Sequence, residues 1–384
     1  MHCPSPIRIS LIGMLLALSA WPPLASAAEF VISGPRAMGM GGAGVAVTTN
    51  ALATYWNPAG LAMTQTVDVR LQGGGQATDR LGIGDALHDL ENFDRNDISP
   101  TNQVKAQSIA DHINRPGATV SVSGSAGLYF KGHLGEHAFG FNISDVATGG
   151  GFVSTPVTVT SPAGPGSPVT VTGQMALRGL EARQLAFSYA YAFADKTFSI
   201  GITAKVIQGA SYNGSTELLG GSGVSTTDHF GKPNISTTYG IDMGAIYRPS
   251  SWVRVGVVAK DLNTPTFDAA GGGTLKLEPQ VRVGFAVNPY STLTLTADVD
   301  ATSNKTFVPG VKSQLLSLGL EQTILSEFLS FRIGTFKNMQ DASTPFVPTA
   351  GLGMRWFNFR ADAGGGYDFR EKGALVSASI SLTF

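Results

Sequence analysis

Gly373-Ala-Leu-Val-Ser-Ala-Ser-Ile-Ser-Leu-Thr-Phe384 is the stretch on which the fold turns. Ala374, Val376, Ala378, Ile380, Leu382 and Phe384 take one parity. Leu375, then Ser377, Ser379, Ser381 and Thr383, take the other. Side chains along a strand point to opposite sides with period two, so this segment has one greasy face and one small, mostly polar face. A chain that stops on an aromatic at the end of such a strand reads as the closing strand of a transmembrane β-barrel, with Phe384 as its assembly signal.

The split recurs upstream. Phe198, Ile200, Ile202, Ala204 and Val206 alternate with Ser199, Gly201, Thr203 and Lys205, and Leu293, Leu295, Ala297 and Val299 with Thr294, Thr296, Asp298 and Asp300. With the first parity toward lipid, Lys205, Arg254, Arg282, Asp298, Asp300, Arg332, Arg355 and Arg360 face the lumen, as they must, because an unpaired charge facing lipid costs several kcal/mol. Asp298 and Asp300 share a side like an acid pair; the lumenal parity instead predicts ion pairs with Arg254, Arg282 or Arg332. Aromatics near strand ends (Tyr129 and Phe130, Trp252, Tyr290, Trp356 and Phe357) fit interfacial girdles.

About fourteen strands can be proposed, an even number as in single-chain bacterial barrels: 66–74, 118–130, 134–145, 180–194, 197–212, 236–248, 251–261, 278–288, 291–302, 312–322, 327–337, 346–355, 357–366 and 373–384. Connections alternate between short (Lys131 to His133, Ala194 to Lys196, Pro249-Ser250, Pro289-Tyr290, Thr323 to Ser326) and longer. Outer-membrane barrels combine short periplasmic turns with long extracellular loops. Residues 146–179 read as an extracellular hairpin around Ser161 to Pro168; entering the membrane, it would raise the count to sixteen. Between 81 and 115 the period changes. Ile83, Leu87, Leu90 and Phe93, then Val104, Ile109 and Ile113, recur at helical spacing with Pro100 between them. Two short helices in the first loop are expected to pack on the barrel rim.

Residues 1–28 read as a secretory signal: His2 and Arg8 in the n-region, an apolar run from Leu11 to Ala20, and a small-residue cleavage site at Ala25-Ser-Ala27 or Ser26-Ala-Ala28. Cys3, the single cysteine, lies within it, so the mature chain has no disulfide and no thiolate metal site. Charged residues make up 14% and the net charge is -1, against about 25% charged for a typical soluble domain. That balance excludes a basic nucleic-acid surface. The expected location is the bacterial outer membrane, in contact with its lipid.

Residues 29–65 are not strand-like. Gly39-Met-Gly-Gly-Ala-Gly44 matches a dinucleotide fingerprint literally, but no strand precedes it and no acidic residue follows at the required distance of about 20. The physical reading is a compact lumenal hatch. Gly39, Gly41 and Gly42 permit tight turns and close approach to the wall, and Asn57-Pro58 before Ala59 sets a turn. No cofactor is expected. His133 and His137 lie on a strand turn, without the following Glu of a zinc protease, and no Ser has a G-x-S-x-G setting. No metal site and no enzyme are read from the chain.

Arg36-Ala-Met-Gly-Met-Gly-Gly-Ala43 and Tyr55-Trp-Asn-Pro-Ala59 resemble the N-terminal signature of the FadL-type superfamily, which includes hydrophobic-compound transporters and the PorV-like and plasmid-transfer TraF-like outer-membrane proteins. Arg178-Gly-Leu180, Ser199 to Lys205 and Leu277 to Gly284 look closest to the TraF-like branch. The resemblance covers essentially the whole mature chain and implies fourteen strands, 66–384, around an N-terminal hatch, with Asn57, Pro58 and Ala59 in the hatch. It implies passive uptake of small hydrophobic molecules through a hatch-gated lumen, with Leu218, Leu219, Val224 and Phe230 offering an apolar capture site. The alternative is a non-transporting accessory that binds proteins of a conjugation or secretion system.

Overall fold

The computed structural model describes residues 29–160, 168–193, 195–219, 231–342 and 344–384, and the backbone of residues 25–26. Residues 1–24 and 27–28 of the signal segment, Cys3 among them, and Val224, His229 and Phe230 lie outside the described residues. Fourteen antiparallel strands close into one barrel in which every strand pairs with its neighbour in sequence. They are β1 (Asp68–Arg80), β2 (Thr119–Leu134), β3 (His137–Thr160), β4 (Thr170–Phe193), β5 (Phe198–Leu219), β6 (Asn234–Ser250), β7 (Val253–Lys260), β8 (Gln280–Tyr290), β9 (Leu293–Asp300), β10 (Leu315–Ile324), β11 (Leu329–Asn338), β12 (Val347–Trp356), β13 (Phe359–Asp368) and β14 (Gly373–Thr383). β14 closes on β1 in continuous register from Ala374–Ala77 to Thr383–Asp68. Closure leaves no strand edge unpaired.

Parity decides which side chains enter the barrel. On β14, Val376, Ile380 and Leu382 are exposed outward, while Leu375, Ser377, Ser379 and Ser381 are buried inward. On β5, Ile200, Ile202 and Val206 are outward, and Ser199, Thr203 and Lys205 inward. Tyr129 departs from the expected girdle: it is buried, its hydroxyl accepts from Gln72 Nε2 at 3.3 Å, and it shares its inward parity with Lys131.

The even-numbered strands end in short turns. The odd-numbered ones end in longer loops, except β13, whose four-residue connection to β14 is as short as the turns after β4 and β10, so the two ends of the barrel differ. The 146–179 hairpin is no additional pair of strands. It continues β3 and β4, each 24 residues long, past the long-loop end, and the count stays at fourteen. The first long loop carries α1 (Ile83–Glu91) and α2 (Pro100–Ile113). Ser99 caps α2, its Oγ accepting from Asn102 N at 3.2 Å, and Pro100 is its first residue. Ile83, Leu90, Ile109 and Ile113 pack with Val157, Val171, Met175 and Leu218. Leu218 therefore belongs to the packing of the insert. Val104, assigned to the buried face by its spacing, is 70% exposed.

Candidate functional site: a segment seated in the lumen

Residues 30–63 fill the lumen and are nearly all buried. This plug holds α3 (Pro35–Gly39), α4 (Ala53–Trp56) and a 3-10 turn, Pro58–Met63. Gly41 and Gly42 have φ of 68° and 86°, a region unfavourable to side chains, and let the chain reverse after α3.

The plug meets the wall largely through backbone. Nine strands place an inward glycine at its level: Gly140, Gly201, Gly244, Gly256, Gly284, Gly319, Gly334, Gly351 and Gly364. Several are directly paired: Gly201 with Gly244, Gly256 with Gly284, Gly319 with Gly334, and Gly351 with Gly364. Plug atoms take the space where Cβ atoms would sit. A Cβ on Gly201 would lie 2.5 Å from Ala59 N, on Gly256 2.9 Å from Val45 O, and on Gly319 2.5 Å from Met40 Cβ. Gly39 approaches Gly351, with a Cβ on Gly351 falling 3.1 Å from Gly39 Cα.

Asn57, Pro58 and Ala59 lie against β5, β6 and β7. Asn57 Oδ1 accepts from Ala59 N at 3.2 Å, closing the local turn. Its Nδ2 lies 3.2 Å from Ala245 O and 3.3 Å from Val257 O, on two wall strands. Ser199 Oγ donates to Ala59 O at 2.8 Å.

Charge secures the remainder. Asp298, expected in an ion pair, instead accepts the plug amides of Gly44 and Val45 at 2.7 and 2.9 Å. Two converging N–H groups stabilise Oδ2 of this buried carboxylate, while its Oδ1 has no hydrogen-bond partner among the described residues. Asp300 is the ion-pair partner of Arg282, at 2.5 Å. Arg36 of the plug forks onto Glu321, Nε to Oε2 at 2.7 Å and Nη2 to Oε1 at 3.1 Å. Glu321 also holds Arg332, which holds Asp362, and Asp362 is shared by Arg70 and Arg360. Lys205 lies between Asp242 and Asp261 at 2.8 and 2.7 Å. Arg254 bonds Asn288 Oδ1 at 2.9 Å. Arg355 is not lumenal. It lies at the short-turn rim, 44% exposed at its side chain, paired with Glu327.

An aromatic cluster unmarked in the sequence completes the seat. Phe30, Tyr55 and Trp56 pack with centroids 5.2 to 6.0 Å apart. Lys260 Nζ stands 3.4 Å from the Tyr55 ring centre, and Arg282 Cζ 4.0 Å from that of Phe30. Cations over ring faces are attracted by the quadrupole, more so when desolvated. Lys131 Nζ donates to Thr49 O and Thr64 O at 2.7 and 2.9 Å, holding the plug where it leaves toward β1.

Two small cavities remain in the lumen on the long-loop side, about 160 and 70 Å³. Glu29, Gln76, Ser121, Ser313, Leu315 and Phe336 border both. Burial pushes the Glu29 carboxyl above its usual range, opposed by the Thr148 hydroxyl that donates to it at 2.6 Å.

Closed barrel and seated N-terminal segment define the class: a fourteen-stranded β-barrel with its lumen filled by its own N-terminal segment. The chain belongs to the family described as "F plasmid transfer operon, TraF, protein", which matches residues 54–300. Solved structures share the fold at low identity. The "CymD monoaromatic hydrocarbon channel" is 15% identical, with a TM-score of 0.53, covering 93% of this chain and 98% of that one. The Ralstonia pickettii toluene transporter TbuX is 15% identical, with a TM-score of 0.50 and coverage of 91% and 97%. A TodX monoaromatic hydrocarbon channel mutant is 12% identical, with a TM-score of 0.53 and coverage of 92% and 99%. Comparison with curated proteins finds no match.

Proposed function

We propose that the protein is a non-enzymatic barrel of the bacterial outer membrane whose lumen stays shut, and that it serves a plasmid-transfer or secretion assembly. The chain divides into a signal at 1–28, a plug at 29–65 and a barrel at 66–384, with the short turns toward the periplasm. The observation that carries the closed lumen is the seating of plug atoms, most of them backbone, on wall glycines of nine strands. Sliding a solute past those contacts would require the plug to leave its glycines, its carboxylate anchors and its cation-held rings together. The cavities above it are small, about 160 and 70 Å³. Membership in a family described by a plasmid-transfer operon supports the assembly side.

Passive uptake of small hydrophobic molecules is the second reading. It is favoured by an apolar groove on the outer wall and by the shared fold with barrels described as toluene transporters and hydrocarbon channels. A deletion strain separates the two. Under the first reading plasmid transfer or secretion falls, while uptake of toluene and of fatty acids is unchanged. Unchanged transfer and secretion with reduced uptake would reverse the order.

A further inference from the structure

A hollow of about 740 Å³, larger than either lumenal cavity, lies on the outside of the wall. That size is within the roughly 300–1,000 Å³ typical of ligand pockets. The register explains its shape. Val122, Gly149, Gly179 and Tyr212 stand opposite one another across β2, β3, β4 and β5. Cross-strand partners share a face, and Val122, 53% exposed, marks this face as outward. The two central strands thus carry no side chain where their neighbours carry Val and Tyr, and the wall is hollowed between them. Above, Met175 and Leu177 are buried against the helical insert, and Leu87 of α1 overhangs the hollow. The insert closes the long-loop side.

The opposite side is open. Along β2 the outward residues below the hollow are Gly124, Ala126, Leu128 and Phe130, with no polar side chain among them. This strip runs into the exposed apolar band that includes Ile143 and Leu185. On β3 and β4, by contrast, the paired charges of Asp145 and Arg183, 3.0 Å apart, mark the upper edge of that band. An occupant therefore reaches the hollow from the membrane, along β2, and meets mostly apolar atoms there, with Glu181, beside the Tyr212 hydroxyl, as the acidic group in the lining.

We propose that this hollow binds the acyl chain of an outer-leaflet lipid, drawn up along β2 beneath the helical insert. The proposal rests on the barrel spanning a membrane, not on what its lumen does. Continuity with the lipid-facing band makes the bilayer itself the reservoir, and the overhanging helix shields the chain from water.

The test uses the full mature barrel in vesicles of phosphatidylethanolamine and phosphatidylglycerol doped with a phospholipid bearing a diazirine near the chain end, with adducts mapped by peptide. Adducts are expected on Leu87, Leu177 and Tyr212 as well as on Ile143 and Leu185. Val122→Trp fills the hollow from its edge and should cut the first group about tenfold, as a loss of ~1.4 kcal/mol in occupancy would, leaving the second unchanged. Leu87→Glu, which sets a carboxylate in the ceiling, should do the same. Retained heat-modifiable migration confirms that both variants fold. Adducts confined to Ile143 and Leu185 would overturn the proposal while leaving the membrane reading intact. Labelling of the hollow by a diazirine analogue of toluene but not by the lipid would overturn the choice of occupant. No adduct on any outward residue would overturn the membrane reading itself.

Discussion

Asn57 occupies the place of a side chain on Gly244: a Cβ there would overlap Asn57 Oδ1, while Asn57 Nδ2 bonds the carbonyl of the next residue, Ala245, at 3.2 Å. One amide thus reads a missing side chain and an exposed carbonyl on the same strand. The same device, plug atoms filling wall glycines, is repeated around most of the barrel. Its consequence is a seat that tolerates neither larger wall residues nor a displaced plug.

Gly334→Val should unseat the plug locally, because Met40 and Gly41 backbone already fill the site. The barrel should still assemble, with the defect confined to the lumen. Limited proteolysis of intact cells and of purified protein measures it: cleavage within residues 30–50 is expected in the variant and not in the wild type. Gly75→Ala, where a Cβ would meet nothing closer than 3.4 Å, serves as the tolerated control.

Glu321→Gln should be severe. Glu321 is buried between Arg36 and Arg332, each 2.7 Å away. Removing one member of a buried ionic group leaves the others uncompensated and typically costs about 3–5 kcal/mol. The temperature at which the folded band is lost in unheated SDS gels should fall sharply. Arg355→Gln, at the exposed rim, should change it little, since exposed pairs contribute about 0–1 kcal/mol.

The last strand gives a parity test. Ile380→Arg places a charge on the outward face and should cost about 2–4 kcal/mol near the bilayer midplane. Ser379→Ala loses one hydrogen bond from Arg70 Nη1, 3.1 Å long, and should cost about 1 kcal/mol. Deleting Phe384 removes backbone bonds in both directions with Val67 and should lower assembled barrel in the membrane. Equal yields for the 379 and 380 variants would contradict the facing of β14.

The helical insert is tied to the last loop by Lys372 and Asp85. Lys372 holds the Asp85 carboxyl below the usual range, and Asp85 holds the Lys372 ammonium above its own. The depressed acid contributes fully above its unfolded value, about 3.9, and its contribution is lost as pH falls through the lower folded value. The raised base contributes fully below its unfolded value, about 10.4, and is lost as pH rises through the higher folded one. Amide exchange in α1, corrected for intrinsic rate, should therefore be flat from pH 5 to 9 and rise in acid. Asp85→Asn should remove the acid-side change.

Much of this fold was legible because a barrel imposes period two along every strand, and Ile200, Ser199, Ile380 and Ser379 each announce a side. Tyr129 was legible too, since it shares parity with Lys131; its place near a strand end obscured that. Arg355 has inward parity, but its height along β12 puts it at the rim, and parity carries no height. The glycine seat was hidden for the same reason. Gly201, Gly244 and Gly256 are ordinary members of a chain with 48 glycines until register sets them at one level. The partners of Asp298 are backbone amides of Gly44 and Val45, 254 and 253 residues away, and a backbone donor has no sequence signature. Residues 146–179 kept strand alternation outside the expected bilayer span, so alternation alone did not set where β3 and β4 end.

The central claim is that the plug closes the lumen by seating on the wall. Single-channel recording of the purified mature barrel in a planar bilayer tests it most directly, beside a variant lacking residues 30–63. The intact barrel should give no conductance steps and the variant a stable open pore. Steady conductance from the intact barrel, equal to that of the variant, would contradict it.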